Sequence, residues 1–239
     1  MWDAWLDRGT RRAEFAEREV PNHPRSETKR YSIMKLPSIE LILHWVSGLI
    51  AFIVLGILLG GILSGVRRLA GTTTGRTTGW LRSPLFYLLS TALFLALSVA
   101  FWKPLSLTLT PAIRSLALIA GVLFYFPGLA FLLWGRLTLG KMYFVSTAFG
   151  AQLFAGHQLV TRGPFALVRH PIYLGLIASA VGSLLLYQTW TTAAYAIFAP
   201  FVLFRARREE QALAAEFGEE WQAYCRRVPA FFPRLIKRK

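Results

Sequence analysis

The chain has 239 residues, of which 54% are hydrophobic, 14% aromatic and only 16% charged, which is more apolar surface than a soluble domain of this length can bury. Its formal charge of +15 does not point to nucleic acid. The basic residues fall in the connections and ends of an otherwise apolar chain, where anionic lipid head groups are the natural partner.

Residues 1–37 read as a polar N-terminal tail. They begin with Trp2 and Trp5, mix eight Lys/Arg with six Asp/Glu and contain Pro21, Pro24 and Pro37. That composition suits a partly helical, partly disordered extension; a surface-lying amphipathic helix over 2–20 is the alternative. The tail carries no apolar core of the signal-peptide kind. Five apolar runs come after it, at 39–63, 84–102, 111–134, 172–187 and 190–204. The expected fold is therefore all-α: a multi-pass integral membrane protein with about five transmembrane helices and a polar C-terminal helical region. Three helices fall in 38–134, and a signature region occupies 135–239. The last two runs are short for a span of about 17 to 25 residues. The two-residue connection Gln188-Thr189 folds them into a tight antiparallel hairpin, 172–204, beside the membrane surface.

Within the first run, His44 precedes Trp45, a pairing also seen around haem in membrane cytochromes. Haem held between helices needs a second axial ligand from a facing helix, and no partner is evident, so His44 reads as an interfacial residue beside a belt tryptophan. Gly60-Gly61 suit a close helix approach. The loop 65–83, with four arginines and no acid, reads as solvated and beside anionic head groups. Pro127-Gly128 inside the third run predicts a kink.

The densest chemistry lies at 157–175, HQLVTRGPFALVRHPIYLG. Two histidines, two arginines and a Gly163-Pro164 turn crowd against the start of an apolar helix. Pro171 suits the first helical turn, and a helix start presents N–H donors to a carboxylate or phosphate. A second polar cluster runs from Arg205 to Glu210, and the hairpin returns it to the same membrane face. Arg205 and Glu209, four apart, share a helical face. Beyond them Leu213, Phe217, Trp221 and Tyr224 line one face of an amphipathic helix, which Gly218 is expected to break in two. The aromatic and basic tail 228–239 suits the interface. Single cysteine Cys225 excludes an intramolecular disulfide and a cysteine-based metal cluster.

These two clusters, GPFALVRHPIYLG and REEQALAAEFGEEWQAYCRRVPAFFP, together resemble the signature of the isoprenylcysteine carboxyl methyltransferases and related phospholipid methyltransferases. The likeness covers roughly 139–233. It implies S-adenosylmethionine as methyl donor and a lipophilic acceptor, prenylated or otherwise lipid-like, taken from among membrane lipids. By the same resemblance His157, Gln158, Leu159 and Val160 line the cofactor's nucleoside, and Phe165 stands where the family usually has tyrosine. His170, Pro171, Ile172 and Tyr173 match the His-Pro-x-Tyr element around the methionine end, Glu209 matches an acid that binds the donor's ammonium or ribose, and Arg169 neutralises a carboxylate or phosphate. Arg205 becomes the ligand that orients the acceptor carboxylate and is the catalytic candidate. No metal is implied. N-methylation of a phospholipid, an NADPH-dependent reductase related to the membrane sterol reductases (whose W-x-x-Y-C-x-x-V-P pattern Trp221, Tyr224, Cys225, Val228 and Pro229 also fit) and a non-catalytic lipid-binding protein are the other readings. Oligomeric state leaves no sequence signal.

Five spans would place 65–83, 135–171 and 205–239 on one side of the membrane, and the tail with 103–110 on the other. Lys/Arg number four, four and nine on the first side, against eight and one on the second. The positive-inside bias then puts the signature region in the cytoplasm.

Overall fold

The computed structural model describes residues 25–66, 70–75, 83–143, 146–147, 150–154 and 156–232. Most of the N-terminal tail, including the 2–20 segment, the four arginines of the loop 65–83 and the basic end 233–239 lie outside them. The chain forms two compact units that divide between Ile42 and Leu43, and the packed helices and the polar site lie in the second. In chain order the elements are α1 (Arg25–Val66), β1 (Ala70–Gly75), α2 (Pro84–Ala100), α3 (Pro111–Leu139), β2 (Ser146–Thr147), β3 (Gly150–Phe154), α4 (Pro171–Tyr187), α5 (Trp190–Phe198) and α6 (Val202–Arg227), with α1 reaching back into the first unit.

The helices are apolar on faces that nothing among the described residues covers. Among its residues α2 buries none, and Leu49, Phe52 and Ile53 of α1, Leu89 and Leu93 of α2, and Leu116 and Leu123 of α3 are all exposed. A helix apolar all round and left uncovered requires lipid as its solvent. Two helical stretches, Ile39–Val66 and Pro111–Met142, are long and apolar enough to cross a bilayer, and the 17-residue helices Pro84–Ala100 and Pro171–Tyr187 are shorter. Among the described residues, two of the five expected spans thus meet the length of a full crossing. The fifth apolar run departs most: α5 stops at Phe198, a 3-10 turn follows over Ala199–Phe201, and Val202 already starts α6. Pro200, without an N–H, ends the helix there. Nine helical residues rise only about 14 Å, roughly half a hydrocarbon core.

The core is a three-helix contact. Leu118, Tyr125, Leu129 and Leu132 of α3 bury against Val54 of α1 and Leu186 of α4. Helices α3 and α4 pack closely through glycines seven apart: Gly128 faces Gly175, Gly182 abuts the Tyr125 backbone, and Gly121 and Gly135 make room for Leu186 and Ile172. A Cβ on Gly175 would lie 2.5 Å from the Gly128 carbonyl oxygen and 2.6 Å from the Leu132 nitrogen, and one on Gly128 would lie 2.7 Å from the Ser179 nitrogen. In lipid, where no hydrophobic force drives helices together, such small-residue faces are what let them associate. The helix α3 runs on through Pro127. Of the Gly60-Gly61 pair, Gly61 is the one in contact, making room for the Arg136 guanidinium, while Gly60 faces open space.

At the hairpin end, Gln188 takes a left-handed conformation (φ 50°) and Thr189 caps α5 in a capping box with Thr192, so the two-residue connection forms as expected. This end also gathers Lys103 and Leu105, whose backbones bond Trp190 and Gln188, and His44. His44 is a structural residue: its Nε2 lies 2.9 Å from the Leu186 carbonyl oxygen and its ring stacks on Tyr187. Exposed Trp45, Trp102 and Trp190 belong to the same end, as a membrane-interface belt requires.

The opposite end holds a small three-stranded antiparallel sheet, order β1-β3-β2, which the all-α expectation did not include. Strand β1 comes from the loop 65–83, so that loop is partly paired rather than wholly solvated. Leu153 of β3, fully buried, packs on Ala212 and Leu213 of α6. The backbone of α6 turns at Gly218 (φ 50°, ψ −115°), the expected break.

Candidate active site

The polar segment before α4 is held from two sides. Gly163 sits at φ 62° with Thr138 Oγ1 3.0 Å from where a Cβ would be, so both its backbone and its surroundings demand glycine. It starts the 3-10 turn Gly163–Ala166, whose buried Phe165 accepts a 2.6 Å hydrogen bond at its carbonyl from Tyr224. Downstream, the Arg169 and His170 N–H groups donate to the carbonyls of Pro229 (2.9 Å) and Ala230 (3.0 Å). Pro171 opens α4, and the first internal bond of that helix is Leu174 N–H to His170 oxygen, 3.0 Å. The N–H groups of Ile172 and Tyr173 precede that bond, in the turn where a helix favours anionic groups.

From the other side, one turn of α6 presents Arg205, Glu209 and Glu210. Glu210 binds the segment directly: its Oε1 accepts from Arg169 Nε (3.0 Å) and Nη2 (2.9 Å) and lies 2.9 Å from His170 Nε2. Arg169 also donates to the Val228 carbonyl at 2.8 Å and stands over the Trp221 ring. Burial works against the Glu210 charge, but its bonds to His170 and Arg169 outweigh that and lower its pKa. Glu209 instead accepts from the Tyr173 hydroxyl. The Arg205 guanidinium lies 5.6 Å from the Tyr173 ring centre. Burial opposes its charge, yet Tyr173, Glu209, Tyr143 and Tyr87 around it raise its pKa, so it is cationic at any working pH.

One pocket gathers these groups. It counts Arg205, Glu209, Tyr173, His170, Arg169 and His157 among its polar lining, and Leu159, Val160, Phe165, Pro171 and Ile172 among the rest. Every expected site residue except Gln158 lines it. Gln158 is exposed, its N–H 3.4 Å from Met142 sulfur. Arg169 lines the pocket but is engaged by Glu210 and two main-chain carbonyls, so its first role is to tie α6 and the C-terminal segment to the start of α4. His157 is buried near the Phe217 ring, and loss of water pushes its pKa down to about 4 against the opposing pull of Glu216. It is therefore a neutral imidazole at pH 7.

The wall also contains residues the motif reading did not assign to a site: Leu139, Tyr143, Leu213, Trp221 and Tyr224. The last three had a signal, a shared helical face, which reads as packing until a partner surface is known. Tyr143 had none. It comes just after the end of α3, with the Arg136 guanidinium 4.4 Å from its ring centre. Glu210, the second acid of its pair, was likewise indistinguishable from a solvated charge.

A model of the isoprenylcysteine carboxyl methyltransferase (ICMT) family matches residues 119–215, the stretch that carries α3, α4 and the polar turn of α6. That match takes in under half of the chain. Individual proteins also resemble part of the chain. The nickel-cobalt-cadmium resistance protein NccN of Alcaligenes xylosoxydans xylosoxydans is 39% identical over 80 residues, 33% of this chain and 37% of that protein. The Delta(14)-sterol reductase TM7SF2 of Mus musculus is 36% identical over 77 residues, 31% of this chain and 18% of that protein. The protein-S-isoprenylcysteine O-methyltransferase of Homo sapiens is 38% identical over 80 residues, 32% and 28% respectively. The chain thus spans between 18% and 37% of the length of these relatives.

Proposed function

We propose that this protein is an S-adenosylmethionine-dependent membrane methyltransferase that esterifies the carboxylate of an isoprenylated cysteine or a similar lipophilic acid. The observation that carries the reading is the placement of Arg205: a half-buried, permanently charged guanidinium beside Glu209 and Tyr173, in a pocket whose other walls are largely apolar. The residues fit the donor. Glu209 supplies a carboxylate for its ammonium, the first turn of α4 supplies N–H groups for its carboxylate, and Leu159 and Val160 offer an apolar surface for the adenine. Neutral His157 beside them neither repels nor attracts the sulfonium. Phe165 keeps a ring at its position without a hydroxyl.

The cofactor supplies an intrinsically activated methyl group. What the chain must add is position, since an acceptor carboxylate is already ionised near neutral pH. Arg205 would hold that carboxylate by charge-assisted hydrogen bonds and so orient it. With the donor bound, transfer of its methyl group to a carboxylate oxygen would give an ester and a neutral thioether and would ask no proton transfer of these residues. Alignment of this kind is worth several kcal/mol. Arg205 also argues for an anionic acceptor over an amine, because a cationic neighbour favours a carboxylate nucleophile and disfavours any amine that carries charge.

Ligand-dependent thermal shift of the purified chain discriminates the readings. S-adenosylmethionine and S-adenosylhomocysteine should stabilise it and NADPH should not; stabilisation by NADPH alone favours the reductase-like reading, and by neither a lipid-binding protein. Incubation of membranes with labelled methyl donor then reports the acceptor. Label released by mild base is a methyl ester, whereas base-stable label in phospholipid would replace carboxyl methylation by N-methylation.

A further inference from the structure

The helical turn that closes the pocket has a second face. Arg205, Glu209 and Glu210 point inward to Tyr173, His170 and Arg169, which uses both acids of the cluster. Arg207 and Arg208 point outward and are exposed. Among the described residues neither has an ion pair or hydrogen bond, so two adjacent cations stand without a counter-charge. They share a shallow surface groove with Gln211, Phe201 and Phe204. The rings of Phe198, Phe201 and Phe204 succeed one another at 5.9 and 5.8 Å, and all three are exposed, at 64%, 58% and 55%. An uncovered aromatic ladder thus leads from the apolar end of α5 to a pair of unneutralised arginines and an amide.

We propose that this groove is a binding site for one acidic phospholipid, with the headgroup phosphate on Arg207, Arg208 and Gln211 and an acyl chain along Phe204, Phe201 and Phe198. Charge complementarity selects the occupant: two guanidiniums match a phosphodiester, and the adjoining rings are apolar where a free anion would want water. A solvated basic face would not place three exposed phenylalanines directly below its arginines, whereas a membrane interface does so naturally, since basic and aromatic side chains share that depth. The site lies on the outer face of the helical turn whose inner face lines the pocket, so an anionic leaflet would hold that turn in register with the bilayer.

The test uses the purified full chain in neutral detergent, its thermal midpoint followed against phosphatidylglycerol, phosphatidylcholine with the same acyl chains, and inorganic phosphate. Phosphatidylglycerol should raise the midpoint saturably and the other two should not. Each arginine near an anionic lipid accounts for roughly fivefold in affinity, so Arg208→Gln should weaken the response about fivefold and the Arg207→Gln, Arg208→Gln double variant about thirtyfold. Both side chains are exposed, and the lipid-free midpoint of each variant should match that of the parent chain. The charge-matched double variant Arg226→Gln, Arg227→Gln, at the far end of α6, should respond like the parent. Equal losses in the two double variants would reduce the effect to overall charge, an equal response to inorganic phosphate would mean a free-anion site, and no response to phosphatidylglycerol would remove the proposal.

Discussion

Glu210→Gln removes a charge on which the site's architecture depends without altering the pocket lining itself. In the folded protein one oxygen of Glu210 meets three cationic or potentially cationic donors, two from Arg169 and one from His170, all at 2.9 to 3.0 Å. Charge-assisted hydrogen bonds contribute roughly 1.5 to 3 kcal/mol each when well shielded, and glutamine retains a neutral acceptor. The Glu210 side chain is 29% exposed, so solvent screening reduces the sum, and a loss of about 2 kcal/mol is expected. For a chain of this size that is about 4 to 8 °C in thermal midpoint. The pH dependence provides the sharper check. Because the folded pKa of Glu210 lies below the usual carboxylate value of 4.5, its contribution is complete above that value and is lost as pH falls through the folded pKa. The parent and Glu210→Gln proteins, compared by thermal unfolding in the same detergent, should differ most near neutrality and converge as the medium is acidified below pH 4.5. A gap that stays constant through the acid range would show that the charge on Glu210 is not what links α6 to the start of α4.

The same geometry sets other outcomes. Glu209→Gln should weaken S-adenosylmethionine binding at least tenfold, as removing a partner from a buried charged contact costs about 2 to 5 kcal/mol, whereas Arg205→Ala should reduce turnover of a carboxylate acceptor more than donor affinity; equal loss of both by Arg205→Ala would move that residue to the donor. Gly175→Ala sets a methyl group against backbone atoms of Gly128 and Leu132, which cannot rotate away, so overpacking should destabilise the protein by about 1 to 3 kcal/mol, readable in thermal unfolding, and an unchanged midpoint would mean that α3 and α4 separate freely. With Cys225 replaced, a cysteine probe at the exposed Thr161 should react only with membrane-permeant reagents and one at Ser26 with impermeant ones; the opposite pattern would reverse the expected orientation.

Local chemistry accounts for everything that was legible before the chain folds. Apolar runs specify helices that need lipid; Pro171 and the Gly163-Pro164 turn specify a helix start behind a tight bend; Gln188-Thr189 specifies a hairpin, and Gly218 a break in α6. The resemblance of two motifs some thirty residues apart to one family signature made His157, Leu159, Val160, Phe165, His170, Tyr173, Arg205 and Glu209 legible as one constellation. Contacts between distant segments supplied the rest. Hydropathy could not show that the fifth run divides at Pro200, since apolar residues continue on both sides of it. Nor could it show that β1, in a loop of glycines and threonines, finds its partner in β3 some eighty residues later. The glycines of α3 and α4 each look ordinary alone and acquire meaning only when the facing helix closes on them, as at Gly128 and Gly175. Within the Arg205 to Glu210 turn, composition could not tell which charges look inward. Helical rotation against α4 commits Glu209 to Tyr173, Glu210 to Arg169 and His170, and leaves Arg207 and Arg208 to the surface, because which face of a helix is buried depends on its partner.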